Sequence, residues 1–153
     1  MNRFFQRGGV WVVGQGVLLA AVVLLAVCGH RSGFPIGVRI VGVALMIVGA
    51  CVALAGAMAL GRNLTPLPMP SAQARLVRHG IYAVIRHPLY TSVIAVAVGW
   101  ALVWQSWPAL VVAAALIPFF AAKARREECW LREMFPEYAE YEKQTPQFLP
   151  RIR

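Results

Sequence analysis

Residues 36–60, IGVRIVGVALMIVGACVALAGAMAL, form a long apolar run in which Arg39 is the only charged side chain. A transmembrane helix needs about 20 predominantly apolar residues, so this run is long enough to cross a bilayer. Arg39 lies near its start, where a long alkyl stem lets the charge reach the headgroups. Gly49, Ala53 and Ala57 recur at every fourth position. That spacing lets a neighbouring helix approach closely, although ordinary small-residue content explains it equally well.

Three further runs have the composition of membrane spans, at about residues 10–28, 88–104 and 108–122. The first resembles a signal peptide, but its apolar core is longer than the roughly 7 to 15 residues of such leaders, so we interpret it as a retained helix. Residues 105–107 alone separate the last two runs, which predicts a tight antiparallel hairpin. Pro88 and Pro108 each suit the first turn of a helix, where no backbone donor is lost.

The composition of the whole chain agrees with this division. Of the 153 residues, 59% are hydrophobic and only 14% are charged, against roughly a quarter charged in an average soluble domain. The mean hydropathy is +0.64. We predict an all-α integral membrane protein, a single domain over residues 1–153 with about four transmembrane helices and a C-terminal amphipathic helix at the cytoplasmic face.

Arginine placement predicts the orientation in the membrane. Arg3 and Arg7 precede the first span, loop 61–87 carries four arginines, and the tail 123–153 is rich in Lys and Arg, whereas residues 105–107 carry none. By the positive-inside rule, both termini and loop 61–87 face the cytoplasm. The net charge of +9 belongs to residues beside apolar spans, so we expect membrane lipids as partners and no nucleic acid.

The loop and the tail have sequences that predict local structure. Prolines at positions 66, 68 and 70 favour an extended segment, and residues 71–79 are expected to add one or two helical turns. After residue 122 the helix should continue to about residue 135, with apolar side chains at three- and four-residue intervals. Pro136 suits the start of a second short helix, and residues 145–150 should end the chain as an extended strap.

Metal and disulfide chemistry are not indicated. Cys28, Cys51 and Cys129 form no CxxC pair, and the three histidines lack the spacing of metal ligands. All six acidic residues, in contrast, lie between Glu127 and Glu142.

Two clusters of polar residues are candidates for chemistry. The segment from Arg78 to Tyr90 leads into the helix that begins at Pro88, where unpaired N–H groups and the helix dipole favour an anion. Arg and Tyr also anchor helix ends, so an interfacial belt is the alternative. Glu127 and Glu128 are costly near lipid unless cations or water meet them, and the adjacent arginines are the simplest partners. The predicted topology brings both clusters to one cytoplasmic end, which suits a zwitterionic ligand with an amino-acid group.

Residues 76–90, LVRHGIYAVIRHPLY, resemble the LVxxGxYxxxRHPxY signature of the isoprenylcysteine carboxyl methyltransferase family, part of the phospholipid methyltransferase-like integral membrane methyltransferases. Glu127-Glu128, Leu131, Phe135, Tyr138, Tyr141 and the closing residues 146–150 are similar to that family's EExxL, aromatic and xPxxLP elements, in the same order. The resemblance covers about residues 64–153. The first two spans resemble nothing beyond generic helices.

This resemblance implies that S-adenosyl-L-methionine binds at the cytoplasmic face, in a site formed by loop 61–87 and tail 123–153. The lipophilic small-molecule or prenylated substrate would enter from the bilayer. The residues implied as cofactor contacts are Leu76, Val77, Gly80, Tyr82, His87, Pro88, Tyr90, Glu127 and Glu128. Arg86 is our candidate for orienting an anionic acceptor. Gln144 occupies the tail position where eukaryotic members carry an arginine, which leaves the acceptor's identity open.

Two other functions compete with methyl transfer. Sterol reductases share a similar histidine-proline-x-tyrosine arrangement and use NADPH, but their longer bundle and different acidic motif fit this chain poorly. A non-enzymatic membrane scaffold or lipid-binding subunit would use both polar clusters only as anchors. As a methyltransferase, the chain would be a multi-pass protein of a bacterial inner membrane with a cytoplasmic active site.

Overall fold

The computed structural model describes residues 5, 8–29, 31–65, 67, 69 and 74–150. Over these ranges the chain is helical and contains no strand. The helices are α1 (Gly9–Cys28), α2 (Ile36–Leu60), α3 (Pro88–Val103), α4 (Trp107–Met134) and α5 (Tyr138–Gln144), with single 3-10 turns at Gly61–Asn63 and Gly80–Ala83. The predicted all-α class is confirmed.

Three of these helices, α1, α2 and α4, are long and apolar enough to cross a membrane, and α3 is a shorter apolar helix. The 16 residues of α3 advance only about 24 Å at 1.5 Å per residue, somewhat less than the hydrocarbon core. The side chains of α1 and α2 are mostly exposed valine, leucine and isoleucine, as expected of surfaces that face lipid tails. The architecture agrees with the prediction of about four spans.

Helix α3 lies at the centre of the bundle, in contact with α1, α2 and α4. Its pairing with α2 is close because glycines face it: Gly42, Gly49 and Gly56 are all buried. A Cβ atom on Gly49 would lie 2.8 Å from Val96 Cγ2, and one on Gly99 would lie 2.5 Å from the Gly42 carbonyl oxygen. Gly42 and Gly99 let the two backbones meet directly, and the missing side chain of Gly49 leaves room for Val96.

The close contact therefore repeats every seven residues, not every four as the stripe of Gly49, Ala53 and Ala57 suggested. Ala53 and Ala57 are half-buried at its side. Seven residues make almost two full turns, so positions seven apart stay on one line facing a neighbouring helix.

Helix α1 packs on α4. The rings of Trp11 and Phe119 meet edge to face with centroids 5.5 Å apart. The buried apolar core that joins α1, α3 and α4 consists of Val22, Ala26, Ala97, Ala101, Ala109, Ala113, Leu116 and Phe120.

The hairpin between α3 and α4 forms as predicted. Ser106 caps α4 by accepting a hydrogen bond from the Ala109 N–H at 3.3 Å, and it donates to the Leu25 carbonyl at 3.0 Å. Pro88 and Pro108 both lie in the first turn of their helices. Ser106 thus ties the hairpin turn to the end of α1.

Beyond the apolar run that ends near residue 122, α4 continues as one helix to Met134, as predicted for the tail. Helix α5 begins shortly after Pro136. Residues 145–150 then return to the start of α3. The Arg86 N–H donates to the Pro146 carbonyl at 2.9 Å, and the His87 N–H donates to the Gln147 carbonyl at 3.0 Å. The Thr91 hydroxyl donates to the Phe148 carbonyl at 3.0 Å. We call residues 145–150 the strap.

The prediction of helical turns over residues 71–79 is wrong for its described part, because 74–78 are not helical. The Asn63 side chain holds this segment in another conformation: its amide donates to the Arg75 carbonyl at 2.9 Å and accepts from the Arg75 N–H at 3.3 Å. After this segment, the next helical turn is the 3-10 turn that begins at Gly80, whose φ is +61°. The predicted extended conformation at prolines 66, 68 and 70 lies outside the described residues.

The glycine contact between α2 and α3 yields a direct test. Replacing Gly49 by leucine should lower the free energy of unfolding by on the order of 2 kcal/mol, because the side chain must push α3 away. Gly37→Leu is the matched control on the same helix, since a Cβ there meets nothing within 4 Å. Denaturant unfolding in detergent micelles measures both variants, and equal stabilities would contradict this packing.

Candidate active site

The Glu128 carboxylate lies where α4, the start of α3 and the strap meet. The residue is only 3% exposed. One oxygen, Oε1, lies 3.0 Å from His87 Nε2, 3.2 Å from Arg86 Nη2 and 3.2 Å from Gln147 Nε2. A carboxylate only accepts hydrogen bonds, so the contact assigns the proton to His87 Nε2. The cation and the two further donors compensate a charge that burial would otherwise make costly.

Arg86 connects this carboxylate to α5. Its Nη1 donates to the Glu142 carbonyl oxygen at 3.2 Å and lies 3.6 Å from the Glu142 carboxylate. Arg132 meets the same carboxylate at 2.8 Å, which raises the pKa of the Arg132 guanidinium. The Nε of Arg86 is buried without a hydrogen-bond partner in the described structure.

Glu127 forms a second contact group with Tyr90. The Tyr90 hydroxyl donates to Glu127 Oε2 at 2.5 Å, and His87 Nδ1 lies 3.9 Å from the same oxygen. The Tyr90 ring stacks on the His87 ring at a centroid distance of 5.2 Å with planes 2° apart. The His87 imidazole therefore lies between the two acidic residues.

A cavity of about 110 Å³ opens beside these groups. It is lined by residues from the end of α2, loop 61–87, the start of α3, the C-terminal part of α4 and α5, namely Leu60, Asn63, Thr65, Leu67, Ala74, Arg75, Leu76, Val77, Tyr82, Arg86, His87, Leu89, Tyr90, Glu127, Leu131, Phe135, Tyr138 and Tyr141. Cationic, acidic, aromatic and aliphatic side chains thus line one small cavity at the end of the bundle where α3 begins.

The predicted site residues fall into three groups around this cavity. Seven of them line it, namely Leu76, Val77, Tyr82, Arg86, His87, Tyr90 and Glu127. Glu128 and Pro88 are buried, and Gly80 is exposed. Gln144 lies apart from the lining residues, on the exposed surface of α5, where its amide donates to Glu140 at 2.8 Å. Their roles in binding and catalysis stay predictions.

Three tyrosines supply hydroxyls at neutral pH. Burial raises the pKa of the Tyr141 phenol to about 12, and it raises the pKa of Tyr82 and Tyr138 still further. Tyr141 donates to the Tyr82 carbonyl at 2.6 Å. Tyr138, only 1% exposed, lines the cavity, and its hydroxyl has no partner in the described part of the chain.

Sequence reasoning missed some contacts of this site. Gln147 lies in the predicted strap, but nothing in its sequence context indicates a bond to Glu128. The simple pairing of Glu127 and Glu128 with Arg125 and Arg126 does not appear among the ion pairs of the described residues. Glu128 instead pairs with Arg86, His87 and Arg132. Among the described residues, no group of three or more His, Cys, Asp or Glu side chains is placed to hold a metal ion.

Residues 38–138 match the phospholipid methyltransferase family. The chain belongs to this family. The matched region includes α3, α4 with Glu127 and Glu128, and most of α2, so it covers every residue that lines the cavity except Tyr141 on α5. It confirms the resemblance of residues 76–90 to a membrane methyltransferase.

A solved relative has the same fold. The eukaryotic intramembrane Ras methyltransferase, isoprenylcysteine carboxyl methyltransferase, superimposes with a TM-score of 0.70 at 20% identity, over 94% of this chain and 53% of that protein.

Two relatives of this chain have different names. The chain is 37% identical over 78 residues to the cobalt-zinc-cadmium resistance protein CzcN of Cupriavidus metallidurans, covering 50% of this chain and 36% of that protein. It is 32% identical over 120 residues to a probable protein-S-isoprenylcysteine O-methyltransferase of Oryza sativa subsp. indica, covering 75% of this chain and 62% of that protein. The chain thus spans less than two thirds of either relative.

Tyr141 and Tyr138 form a matched pair for measuring hydroxyl contributions to stability. Tyr141→Phe should lower the free energy of unfolding by about 1 to 2 kcal/mol, because a buried carbonyl loses its donor. Tyr138→Phe should leave it unchanged or slightly higher, since that hydroxyl has no partner to lose. Denaturant unfolding of both variants without ligand measures the two free energies. A larger loss of stability for Tyr138→Phe than for Tyr141→Phe would contradict the described contacts.

Proposed function

We propose that the protein is an S-adenosyl-L-methionine-dependent methyltransferase. Its acceptor is a lipophilic, membrane-embedded molecule with an isoprenylcysteine-like carboxylate. Membership of the phospholipid methyltransferase family supports methyl transfer over the NADPH-dependent reduction considered above. The cavity at the end of the apolar bundle supports an acceptor that reaches the site from the lipid. A scaffold has no need of a buried cluster of charges around a cavity.

The observation that carries the proposal is that Tyr138 lines the cavity and that its buried hydroxyl has no partner in the described part of the chain. A buried polar group without a partner costs about 1 to 3 kcal/mol, so its retention is explained if a ligand supplies the partner. Arg86 and Glu127 line the same cavity. The Glu127 carboxylate complements the ammonium group of the cofactor, and Arg86 offers a cation to the carboxylate of the acceptor.

The size of the cavity limits how much of the cofactor it encloses. At about 110 Å³ it is smaller than the roughly 300 to 1,000 Å³ of typical ligand sites. It therefore suits one part of the molecule, the amino-acid end or the adenosine. The remainder would extend along loop 61–87, where Leu76 and Val77 offer apolar contact and Gly80 and Tyr82 shape the edge.

The chain's own residues have distinct tasks in this proposal. His87, Pro88, Tyr90, Glu127 and Glu128 would hold the cofactor. Bound there, the cofactor supplies an electrophilic methyl group, so that transfer to a carboxylate oxygen forms one C–O bond, breaks one C–S bond and moves no proton. Positioning and exclusion of water then provide most of the acceleration.

Arg86 and Gln144 are the proposed acceptor contacts. Arg86 is already paired with Glu128 and Glu142, and its side chain is 13% exposed, so it presents a fixed cation at the cavity. Gln144 must exchange its bond to Glu140 to reach an acceptor. Both residues, with the termini, would face the cytoplasm of a bacterial inner membrane.

Cofactor affinity tests the cavity residues. Glu127→Gln should weaken S-adenosyl-L-methionine binding roughly tenfold, because one carboxylate charge opposite the ligand's cationic groups is lost. Tyr138→Phe should weaken it roughly fivefold while leaving stability unchanged. Calorimetric titration of protein in nanodiscs measures both. Glu133→Gln, on the exposed side of α4, is the control, and a loss of similar size there would contradict the assignment.

Methyl transfer tests the acceptor class. Membranes containing the protein are incubated with methyl-labelled cofactor and an N-acetylated S-farnesylcysteine whose carboxylate is ionised. Label should enter this compound as an ester, and the same compound supplied as its methyl ester should gain none. Label in a membrane component but not in farnesylcysteine would overturn the proposed acceptor class, whereas the proposed methyltransferase activity would stand. No transfer to any component would overturn the function.

A further inference from the structure

Lys123 is a buried cation outside the set of residues assigned to the cofactor. It lies on α4, one helical turn before Glu127, and is only 1% exposed. Its Nζ donates to Gln15 Oε1 on α1 at 2.8 Å. Gln15 is the only amide side chain in α1, a helix otherwise made of apolar residues and glycine. Two polar groups that are costly in an apolar bundle therefore satisfy each other.

The Lys123 ammonium also lies against the ring of Tyr90, which lines the cavity. Lys123 Nζ is 4.9 Å from the centroid of Tyr90 and 5.8 Å from that of Phe120. The Tyr90 and Phe120 rings stack with centroids 4.8 Å apart. A cation over an aromatic face is attracted by the ring's quadrupole, most strongly where water is excluded. Lys123 thus contacts the Tyr90 ring beside its stacking partner Phe120.

These contacts form a continuous path from α1 to the acidic pair. Gln15 holds Lys123, Lys123 holds the Tyr90 ring, and the Tyr90 hydroxyl donates to Glu127 Oε2. The positive charge of Lys123 and the negative charge of Glu127 lie on one face of α4, four positions apart, where they attract each other. Part of the Glu127 charge is therefore balanced from inside the bundle.

We propose that Lys123 is a positioning residue for the cofactor site, oriented by Gln15, which holds Tyr90 against Glu127 and limits the negative potential that the bound cofactor meets. This inference rests on the proposed function. It gives α1, which the sequence motifs leave without a role, a part in the site.

The two forms of the cofactor distinguish this role from simple packing. S-adenosyl-L-methionine carries a sulfonium cation, whereas the product S-adenosylhomocysteine has a neutral thioether in the same place. Displacement of Tyr90 weakens the binding of both forms. Removal of the Lys123 charge leaves the Glu127 charge less compensated, so the potential at the cofactor becomes more negative, which favours the sulfonium form over the thioether form. A merely structural lysine would not change the ratio of the two affinities.

Calorimetric titration of both forms into Lys123→Met protein in nanodiscs is the test. We expect binding of S-adenosylhomocysteine to weaken about tenfold and that of S-adenosyl-L-methionine about threefold, so that their affinity ratio shifts about threefold. Gln15→Leu, which keeps the lysine, should weaken the product form about threefold, and the double variant should match Lys123→Met because both act through one contact. The matched controls are Lys143→Met, at an exposed lysine, and Val17→Leu, at an exposed position of α1.

The possible results separate this inference from the proposed function. An unchanged affinity ratio in Lys123→Met, with or without lower thermal stability, would overturn the positioning role while the wild type still binds. Additive losses in the double variant would overturn the path through Gln15. A wild-type protein that binds neither form would overturn the proposed function, and the inference with it.

Discussion

One oxygen of the Glu128 carboxylate holds together the end of the structure that carries the cavity. Arg86, His87 and Gln147 converge on it from the start of α3 and from the strap, and Glu128 itself extends from α4. Removing one partner of a buried ion pair typically costs about 3 to 5 kcal/mol, because the other charge is left uncompensated. The strap adds backbone hydrogen bonds to Arg86 and His87. These contacts fix the walls of the cavity relative to one another.

The membrane part supplies the frame that makes this convergence possible. Glycines on α2 let α3 approach to backbone contact, and the short turn at Ser106 fixes α4 beside α3. His87 and Tyr90 therefore begin α3 at the same depth at which Glu127 and Glu128 leave the bundle on α4. Because lipid tails offer no partner to polar groups, the buried polar side chains there must satisfy one another. Lys123 and Gln15 show the same constraint inside the bundle.

The parts of this fold that follow from local chemistry could be predicted from the sequence. Uninterrupted apolar runs give the spans, and Pro88 and Pro108 give helix starts, because each depends only on neighbouring residues. Residues 74–78 could not be predicted, since their conformation is held by the side chain of Asn63, eleven or more positions away.

The candidate site shows the same division. The motif of residues 76–90 indicated six of the residues that line the cavity, and the acidic pair added Glu127, because a motif records which types act together. The bond from Gln147 to Glu128 and the path from Gln15 through Lys123 join residues far apart in the sequence, and no periodicity encodes them. Glu128 was identified as a cofactor contact, but its position beneath the cavity lining, bonded to three donors, depends on the assembled tertiary structure.

Cofactor titration of wild-type and Glu128→Gln protein tests the central claim most directly, namely that the carboxylate cluster at the end of the bundle forms a methyl-donor site. We expect saturable binding of S-adenosyl-L-methionine by the wild type, competition by S-adenosylhomocysteine but not by NADPH, and loss of binding in Glu128→Gln with the helical circular dichroism retained. Binding of NADPH without S-adenosyl-L-methionine, or equal S-adenosyl-L-methionine affinity in the wild type and Glu128→Gln, would contradict it.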